Sequence, residues 1–247
     1  MKETIVFSPD RRVFFFMNIF YSVVEIVVLL LFIAAFIKVY SDNKIKTKRS
    51  NLVKTITRIG IFGGISTILY IVPLFKFPVP IFPSFLEFHF DEIPLFIAGF
   101  AYGPLVAFGS ILVKTIIKLP FTGTMLVGEL SDLLFSTAFV LPSAIIYKKM
   151  RNIKGAILGL LLGSFIQIVI SVIGNIYVMV PFYMFMYGMS AEQLLFICQL
   201  ANPNISDVGW TYGLIAVLPF NVIKDAIVIL ATFLIYKSSH KLIDNLQ

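Results

Sequence analysis

Long apolar stretches, separated by short polar or proline-containing segments, dominate this chain of 247 residues. Several of them are long enough to cross a hydrocarbon core of roughly 30 Å as helices. The pattern predicts seven membrane spans, at about residues 13–38, 54–74, 91–102, 104–119, 126–147, 155–187 and 213–236. Hydrophobic residues make up 59% of the chain and charged residues only 13%, which is far from the composition of a soluble domain. We therefore expect an all-α polytopic membrane protein.

The net charge of +7 is distributed as expected for contact with a lipid bilayer, not with nucleic acid. Basic residues cluster beside the apolar stretches, as they do in the cytoplasmic loops of membrane proteins. The segment 188–212 carries no Lys or Arg and is expected outside. This topology places the C-terminus in the cytoplasm. The clusters are Lys44, Lys46, Lys48, Arg49, Lys54 and Arg58, then Lys148, Lys149, Arg151 and Lys154, then Lys237 and Lys241.

Asn221 and Lys224 lie within the last apolar stretch. A charged residue at bilayer depth costs about 2.5–3.5 kcal/mol on insertion scales, and it usually faces a partner or a cavity. Because the two residues are three apart, they share one face of a helix and can contact one ligand. Asn175 lies near the outer end of the preceding long span. It either approaches the same ligand or bonds a neighbouring helix.

Glu129 and Asp132 open the span at 126–147 and share a helix face. One interpretation is that they contact a ligand. The other is structural, with the two carboxylates pairing with Lys114 or Lys118. The residue types alone leave both interpretations open.

Motifs that would indicate catalysis or a metal centre are absent from the sequence. It contains no Gly-x-x-x-x-Gly-Lys-Ser/Thr motif, so we expect no ATP hydrolysis by a P-loop. With two histidines and one cysteine, a zinc site built from protein ligands is not expected. We therefore expect neither catalytic residues nor a metal site, and no enzyme activity.

Several short motifs resemble the S components of energy-coupling-factor (ECF) vitamin transporters, which are their substrate-binding membrane subunits. The motifs between residues 85 and 149 are Phe-Asp-Glu-Ile-Pro, Gly-Phe-Ala-Tyr-Gly-Pro and Gly-Glu-Leu-Ser-Asp. Asn175 before Val-Pro-Phe-Tyr, and Pro219-Phe-Asn221-x-x-Lys224, are similar to the riboflavin-binding branch in particular. The resemblance covers about residues 55–236.

The resemblance implies a six-helix bundle at 51–247 that captures a vitamin from outside a bacterial cell membrane. Residues 1–50 would add an N-terminal transmembrane helix and a basic linker, which depart from the family pattern. Asp132 and Thr115 also stand where the family leads us to expect asparagine. The implied partners are a membrane coupling subunit (EcfT) and two ATPase subunits. Gly60 and Gly64, a small-residue face that otherwise favours packing within the bundle, would then form the docking face.

Riboflavin suits the candidate residues chemically. The pyrimidine edge of its ring offers two carbonyl acceptors around one N–H donor, which carboxamides and an ammonium can match. Phe85 and other aromatic residues would supply apolar walls for the flat ring. Riboflavin is implied as the transported ligand, and no cofactor is implied. The alternatives are another vitamin such as cationic thiamine, held by Glu129 and Asp132, an intramembrane enzyme, or a scaffold without a ligand.

Overall fold

The computed structural model describes residues 49–121 and 127–245. These residues belong to one compact unit, Ile45–Gln247. The predicted N-terminal span at 13–38 lies outside the described residues. That span and the domain boundary at residue 50 therefore stay predictions.

Helices form almost all of the described chain, as the hydrophobic pattern predicts. Five helical stretches are long and apolar enough to cross a membrane: Leu52–Ile71, Pro104–Phe121, Val127–Met150, Ile153–Met186 and Trp210–Ser238. The predicted all-α polytopic membrane fold is confirmed. In chain order the helices are α1 (Arg49–Ile71), α2 (Glu92–Tyr102), α3 (Pro104–Lys118), α4 (Val127–Met150), α5 (Ile153–Gly174), α6 (Val180–Met186), α7 (Ala191–Ala201), α8 (Trp210–Tyr212) and α9 (Leu218–Asn245).

Two of the long stretches pass through a π-helical turn. Asn175–Met179 joins α5 to α6, and Gly213–Val217 joins α8 to α9. Each turn is followed by a proline at the second position of the next helix, Pro181 and Pro219. A proline lacks the N–H for the usual helical bond, and its ring clashes with the carbonyl four residues earlier. The wider π turn accommodates that clash without ending the helix.

The proline-containing segment before α2 forms a short hairpin. Strand β1 (Phe77–Pro78) pairs antiparallel with β2 (Glu87–Phe88). Lys76 forms an ion pair with Glu87 at 2.8 Å beside this short hairpin. Phe82, Leu86 and Phe88 are buried in the same apolar cluster as side chains of α5 and α9. The hairpin is therefore fixed against one end of the helix bundle.

Helix α7 lies in the segment for which the sequence analysis predicted only an external position. Its first turn has a capping box in which Ser190 Oγ accepts from the Gln193 N–H at 3.2 Å. Gln193 Oε1 accepts from the Ser190 N–H in return, at 2.8 Å. Leu194 and Cys198 are the buried residues of this helix. The Ser-x-x-Gln spacing before apolar residues is the sequence signal that predicts such a helix start.

Close packing of α4 against α5 depends on two glycines. A Cβ at Gly163 would lie 2.2 Å from the Phe139 carbonyl oxygen, and one at Gly159 would lie 2.8 Å from the Ser143 carbonyl oxygen. Ser143 Oγ also donates to the Gly159 carbonyl at 2.8 Å. This small-xxx-small pair brings the two backbones into contact, as is common between membrane helices.

Gly60 and Gly64 behave differently. A Cβ at either position would meet no atom of the described residues within 4 Å. Their neighbour Gly63 instead faces α3, where a Cβ would lie 2.7 Å from Val113. The default expectation that Gly60 and Gly64 pack within the bundle is therefore wrong for the part of the chain that the structure describes.

One end of the bundle is closed by aromatic side chains. Phe100 of α2 packs against Tyr147 of α4 and Tyr236 of α9, with ring centroids 4.7 and 5.7 Å away. The hydroxyls of Tyr147 and Tyr236 lie 3.2 Å apart. Phe96 and Phe139 extend this core at a centroid distance of 4.7 Å. The polar candidate residues lie at the opposite end of the bundle, next to the hairpin.

Candidate functional site

A cavity of about 370 Å³ lies at the hairpin end of the bundle. Its volume falls in the usual range for small-molecule sites, about 300–1,000 Å³. It lies at the end that the charge pattern predicts to face outside. The lining residues are Tyr70, Lys76, Phe85, Leu86, Glu87, His89, Lys118, Phe121, Gly128, Glu129, Ser131, Asp132, Phe135, Gln167, Ser171, Asn175, Met179, Tyr183, Phe220, Asn221 and Lys224.

The structure brings all the predicted ligand residues to this one cavity. They come from four separate segments: the hairpin loop, the start of α4, the π turn after α5, and the first turns of α9. Distant segments of sequence thus meet at a single place. The residues are Phe85, Glu129, Asp132, Asn175, Asn221 and Lys224.

The ammonium of Lys224 is paired with an acid that the sequence analysis did not assign to it. Its Nζ lies 2.5 Å from Glu92 Oε1, and both residues are buried. Asp225, the next residue in sequence, instead accepts from Ser164 Oγ at 2.7 Å. Among the described residues, Glu92 takes one of the three N–H donors of the ammonium, which leaves two for a ligand.

A second buried lysine, Lys114 of α3, is held by three acceptors. Its Nζ lies 2.5 Å from Asp91 Oδ2, 2.7 Å from Asp132 Oδ2 and 2.9 Å from Ser136 Oγ. The Asp132 pair is the structural alternative that the sequence left open, and it coexists with a position in the cavity wall. His89 Nδ1 contacts the other oxygen of Asp91. This network joins α2, α3 and α4 beside the cavity.

Two amide side chains in the wall are oriented by backbone carbonyls. Asn175 Nδ2 donates to the Ser171 carbonyl at 2.9 Å, and its Oδ1 accepts from the Tyr212 hydroxyl at 3.3 Å. Asn221 Nδ2 donates to the Val217 carbonyl at 2.8 Å. A carbonyl can only accept, so each contact identifies the amide nitrogen. Asn221 keeps a second N–H that the wall can offer to a ligand, whereas Asn175 Nδ2 also contacts Ser171 Oγ at 3.4 Å.

Aromatic rings cover the apolar part of the wall. Phe85 lies 5.4 Å from Tyr183 and 6.1 Å from Tyr212 between ring centroids. Phe220 packs edge-on against Phe82 and Phe88 at 5.3 and 4.7 Å. These distances are typical of stabilising aromatic pairs. The rings connect the hairpin to α6 and α9 and give the cavity a surface suited to a flat ring.

Sequence reasoning missed a polar stripe on α5. Ser164, Gln167 and Ser171 are buried on this otherwise apolar helix, and Asn175 continues the series. The spacings of three, four and four residues place all of them on one helix face. That regular spacing was the available signal. Only the last of the four was predicted as a candidate, because Asn175 alone stood beside a proline motif.

His89, Asp91 and Glu92 bring possible metal-ligand atoms within 4.8 Å of one another. Both carboxylates are already paired with ammonium groups, those of Lys114 and Lys224. A metal ion would have to compete with two fixed positive charges for the same oxygens. The electrostatics of the cluster therefore favour ion pairing over metal binding.

Comparison with known proteins gives consistent matches. The family model described as "ECF transporter, substrate-specific component" matches residues 54–236. The riboflavin transporter FmnP of Bacillus subtilis (strain 168) is 28% identical over 185 residues, which cover 73% of this chain and 90% of the relative. The riboflavin transporter RibU of Staphylococcus aureus (strain TCH60) is 28% identical over 176 residues, covering 70% and 85%.

A solved structure also matches, the S component of a bacterial ECF transporter. Its TM-score is 0.59 at 25% sequence identity, and the match covers 77% of this chain and 98% of the other. Proteins of this family are transporter subunits, not enzymes, and they work with a membrane coupling subunit (EcfT) and ATPase modules. With a family match across most of its length and several apolar helices, the chain is a multi-pass membrane protein that belongs to the substrate-specific components of ECF transporters.

Proposed function

We propose that this chain captures riboflavin in the cavity at the hairpin end and delivers it to the coupling module. The observation that carries the proposal is the convergence of Asn175, Asn221 and Lys224 on one aromatic-lined cavity. They come from two helices that are more than 40 residues apart in sequence. Two relatives that cover most of the chain are named as riboflavin transporters, which supports the same ligand.

The polar groups match the edge of the flavin ring. Asn221 retains one N–H donor and Lys224 retains two, while the Nδ2 of Asn175 has a second, long contact to Ser171 Oγ at 3.4 Å. These donors suit the two ring carbonyls, while the rings of Phe85, Tyr183 and Phe220 suit the flat tricyclic body. Glu129 and Asp132 lie in the wall contributed by α4. A neutral ligand fits this site because Glu92 already balances the charge of Lys224.

In the proposed topology, the cavity faces the outside of the cell and the C-terminus lies in the cytoplasm. The basic clusters that begin α1 and end α4 lie at the other end of the bundle from the cavity lining. Arg58 of α1 and Tyr102 of α2 meet at that end, with the guanidinium carbon 4.1 Å from the ring centroid. An excess of positive charge is typical of the cytoplasmic end of membrane helices.

A direct test is to titrate the purified protein with riboflavin in detergent. We expect saturable one-to-one quenching of flavin fluorescence. The protein should be yellow after it has bound riboflavin. The matched comparison uses Asn221→Ala and Asn175→Ala beside Val169→Ala, an exposed position on α5 outside the cavity lining. The two asparagine variants should bind roughly tenfold or more weakly, while Val169→Ala should not. Folded wild-type protein without any flavin response would contradict the proposal.

The cationic alternative, thiamine, has weaker support from the geometry. Its proposed carboxylates include Asp132, whose Oδ2 already lies 2.7 Å from the Lys114 ammonium. Excess thiamine should therefore not displace riboflavin in a competition titration that follows flavin fluorescence. Thiamine binding at riboflavin-like affinity would reverse the assignment.

We also propose that Gly60 and Gly64 form the docking face for the coupling subunit. A Cβ at either position meets open space within the described residues, so a larger residue there is tolerated by the bundle itself. Gly60→Leu with Gly64→Leu should leave riboflavin binding unchanged and abolish co-purification with the coupling subunit. Ile61→Leu, at an exposed position on the same helix, is the control. Unimpaired co-purification of the double variant would refute the docking face.

A further inference from the structure

Gln167 lines the cavity, and its amide oxygen is unpaired among the described residues. The residue is 2% exposed, and it lines the cavity from α5. Its Nε2 donates to Asn221 Oδ1 at 3.0 Å. Its Oε1 has no hydrogen-bond partner among the residues that the structure describes. A buried acceptor without a partner loses its hydration without compensation, so it needs a physical explanation.

The orientation of this amide follows from a chain of contacts. The Val217 carbonyl accepts from Asn221, which identifies the contacting atom as Nδ2. Asn221 Oδ1 must then be the atom that faces Gln167, and it can only accept. The Gln167 atom at that contact is therefore Nε2. The unpaired atom is the oxygen, whatever occupies the cavity.

Three residues that line the cavity thus carry both donors and an acceptor. Asn221 keeps one N–H, Gln167 keeps its oxygen, and Lys224 keeps two N–H groups beyond its bond to Glu92. Donors from two residues together with one acceptor are the groups that a ring edge with an N–H between two carbonyls requires. The pyrimidine edge of a flavin has that arrangement.

We propose that Gln167 is a specificity-determining residue whose Oε1 accepts a hydrogen bond from the ring N–H of the ligand. This inference rests on the proposed riboflavin function and deepens it. Asn221 and Lys224 donate to the two flanking carbonyls. Gln167 has a second effect, because its own N–H occupies Asn221 Oδ1 and so presents Asn221 to the ligand as a donor. The site therefore selects ligands with a free N–H at that edge.

The test compares riboflavin with riboflavin methylated on that ring nitrogen, which has no N–H to donate. Wild-type protein should bind the methylated flavin about tenfold or more weakly, the usual effect of leaving a buried polar group unpaired. In Gln167→Ala the acceptor is gone and space is created for the methyl group. The ratio of the two dissociation constants should then fall to below about threefold.

Two further variants separate an effect on ligand recognition from an effect on folding. Gln167→Met retains the side-chain volume without an acceptor, and it should likewise bind riboflavin more weakly and discriminate less. Thr232→Val removes another buried, unpaired oxygen on α9 that is outside the cavity lining, so it should keep the wild-type ratio. The inference would be overturned if the wild type bound both flavins equally. It would also be overturned if a Gln167 variant that binds riboflavin kept the wild-type ratio of dissociation constants. Either result would leave the proposed riboflavin function intact. Wild-type protein that binds neither flavin would overturn both.

Discussion

Two lysines are buried in the membrane bundle, and their surroundings differ. Lys114 is fully buried, and all three of its N–H donors have acceptors, supplied by Asp91, Asp132 and Ser136. Lys224 is paired with the single carboxylate of Glu92, and it lines the cavity, whereas Lys114 does not. Both acids at the start of α2 are used, one for each lysine.

The difference separates a structural charge from one that is available to a ligand. Removing an ammonium from three close acceptors would leave two buried carboxylates facing each other, so the Lys114 site serves the fold. Lys224 is neutralised by one acid and keeps two donors for another molecule. A buried charge inside a membrane span is therefore a functional signal only once its partners have been counted.

The largest loss of folding stability is expected for Lys114→Met. Breaking a buried pair by removing one partner costs about 3–5 kcal/mol, which for a protein of this size lowers the Tm by about 10 °C or more. Thermal unfolding in detergent, followed by circular dichroism, measures this change. The remaining folded protein should still bind riboflavin.

The control for this variant is Lys54→Met, at an exposed position on α1, which should change the unfolding free energy by less than about 0.5 kcal/mol. If Lys114→Met kept the wild-type Tm but lost riboflavin binding, the contrast between the two lysines would be reversed.

The next effect is on binding instead of stability. Lys224→Met combined with Glu92→Gln removes both charges of the pair, so neither partner is left as an uncompensated charge. We expect riboflavin affinity to fall roughly 10- to 100-fold, the usual range for a hydrogen bond from a charged donor. The Tm should change by only a few degrees. Titration and thermal unfolding of the same preparation measure the two quantities together.

Glu92→Gln alone is the matched variant, because it keeps the ammonium in the cavity wall. Its riboflavin affinity should stay closer to wild type than that of the double variant. Wild-type affinity in the double variant would show that Lys224 makes no contact with the ligand.

Much of the fold could be predicted from the sequence because helices in a bilayer must satisfy their own backbone bonds. Apolar length alone therefore located five of the six spans predicted between residues 54 and 236, whereas the span predicted at 91–102 is an apolar helix, Glu92–Tyr102, that is shorter than a membrane-crossing one. The π turns could not be located in this way, since Pro181 and Pro219 indicate a break but not how the backbone accommodates it. Helix α7 has a capping signal at Ser190 and Gln193, yet its position between spans gave no reason to look for one.

The candidate site was predicted through single residues that are unusual in their surroundings, such as Lys224 in an apolar helix. Pairings across the bundle were not predictable, because Glu92 and Lys224 are 132 positions apart and the sequence carries no signal that their side chains meet. Gln167 was overlooked for a related reason. Its unpaired oxygen is a property of the assembled wall, not of the local sequence.

The smallest effect is expected for Asp132→Asn, which tests the residue that belongs to both regions. Asp132 accepts from Lys114 at 2.7 Å and also lines the cavity. Asparagine keeps an acceptor oxygen and the side-chain size, and Lys114 retains Asp91 and Ser136. We therefore expect a loss of about 1 kcal/mol in unfolding free energy, or about 2–4 °C in Tm.

Riboflavin affinity of Asp132→Asn should stay within about threefold of wild type, because the ligand's polar edge is assigned to the amides and Lys224 on the other wall. Thermal unfolding and riboflavin titration should both be measured for Asp132→Asn and, in parallel, for Ser136→Ala. Ser136 touches Lys114 and is not part of the cavity lining, so its variant reports the effect of the Lys114 site alone. If Asp132→Asn changed affinity by more than about tenfold while Ser136→Ala did not, Asp132 would be a ligand contact first and a partner of Lys114 second.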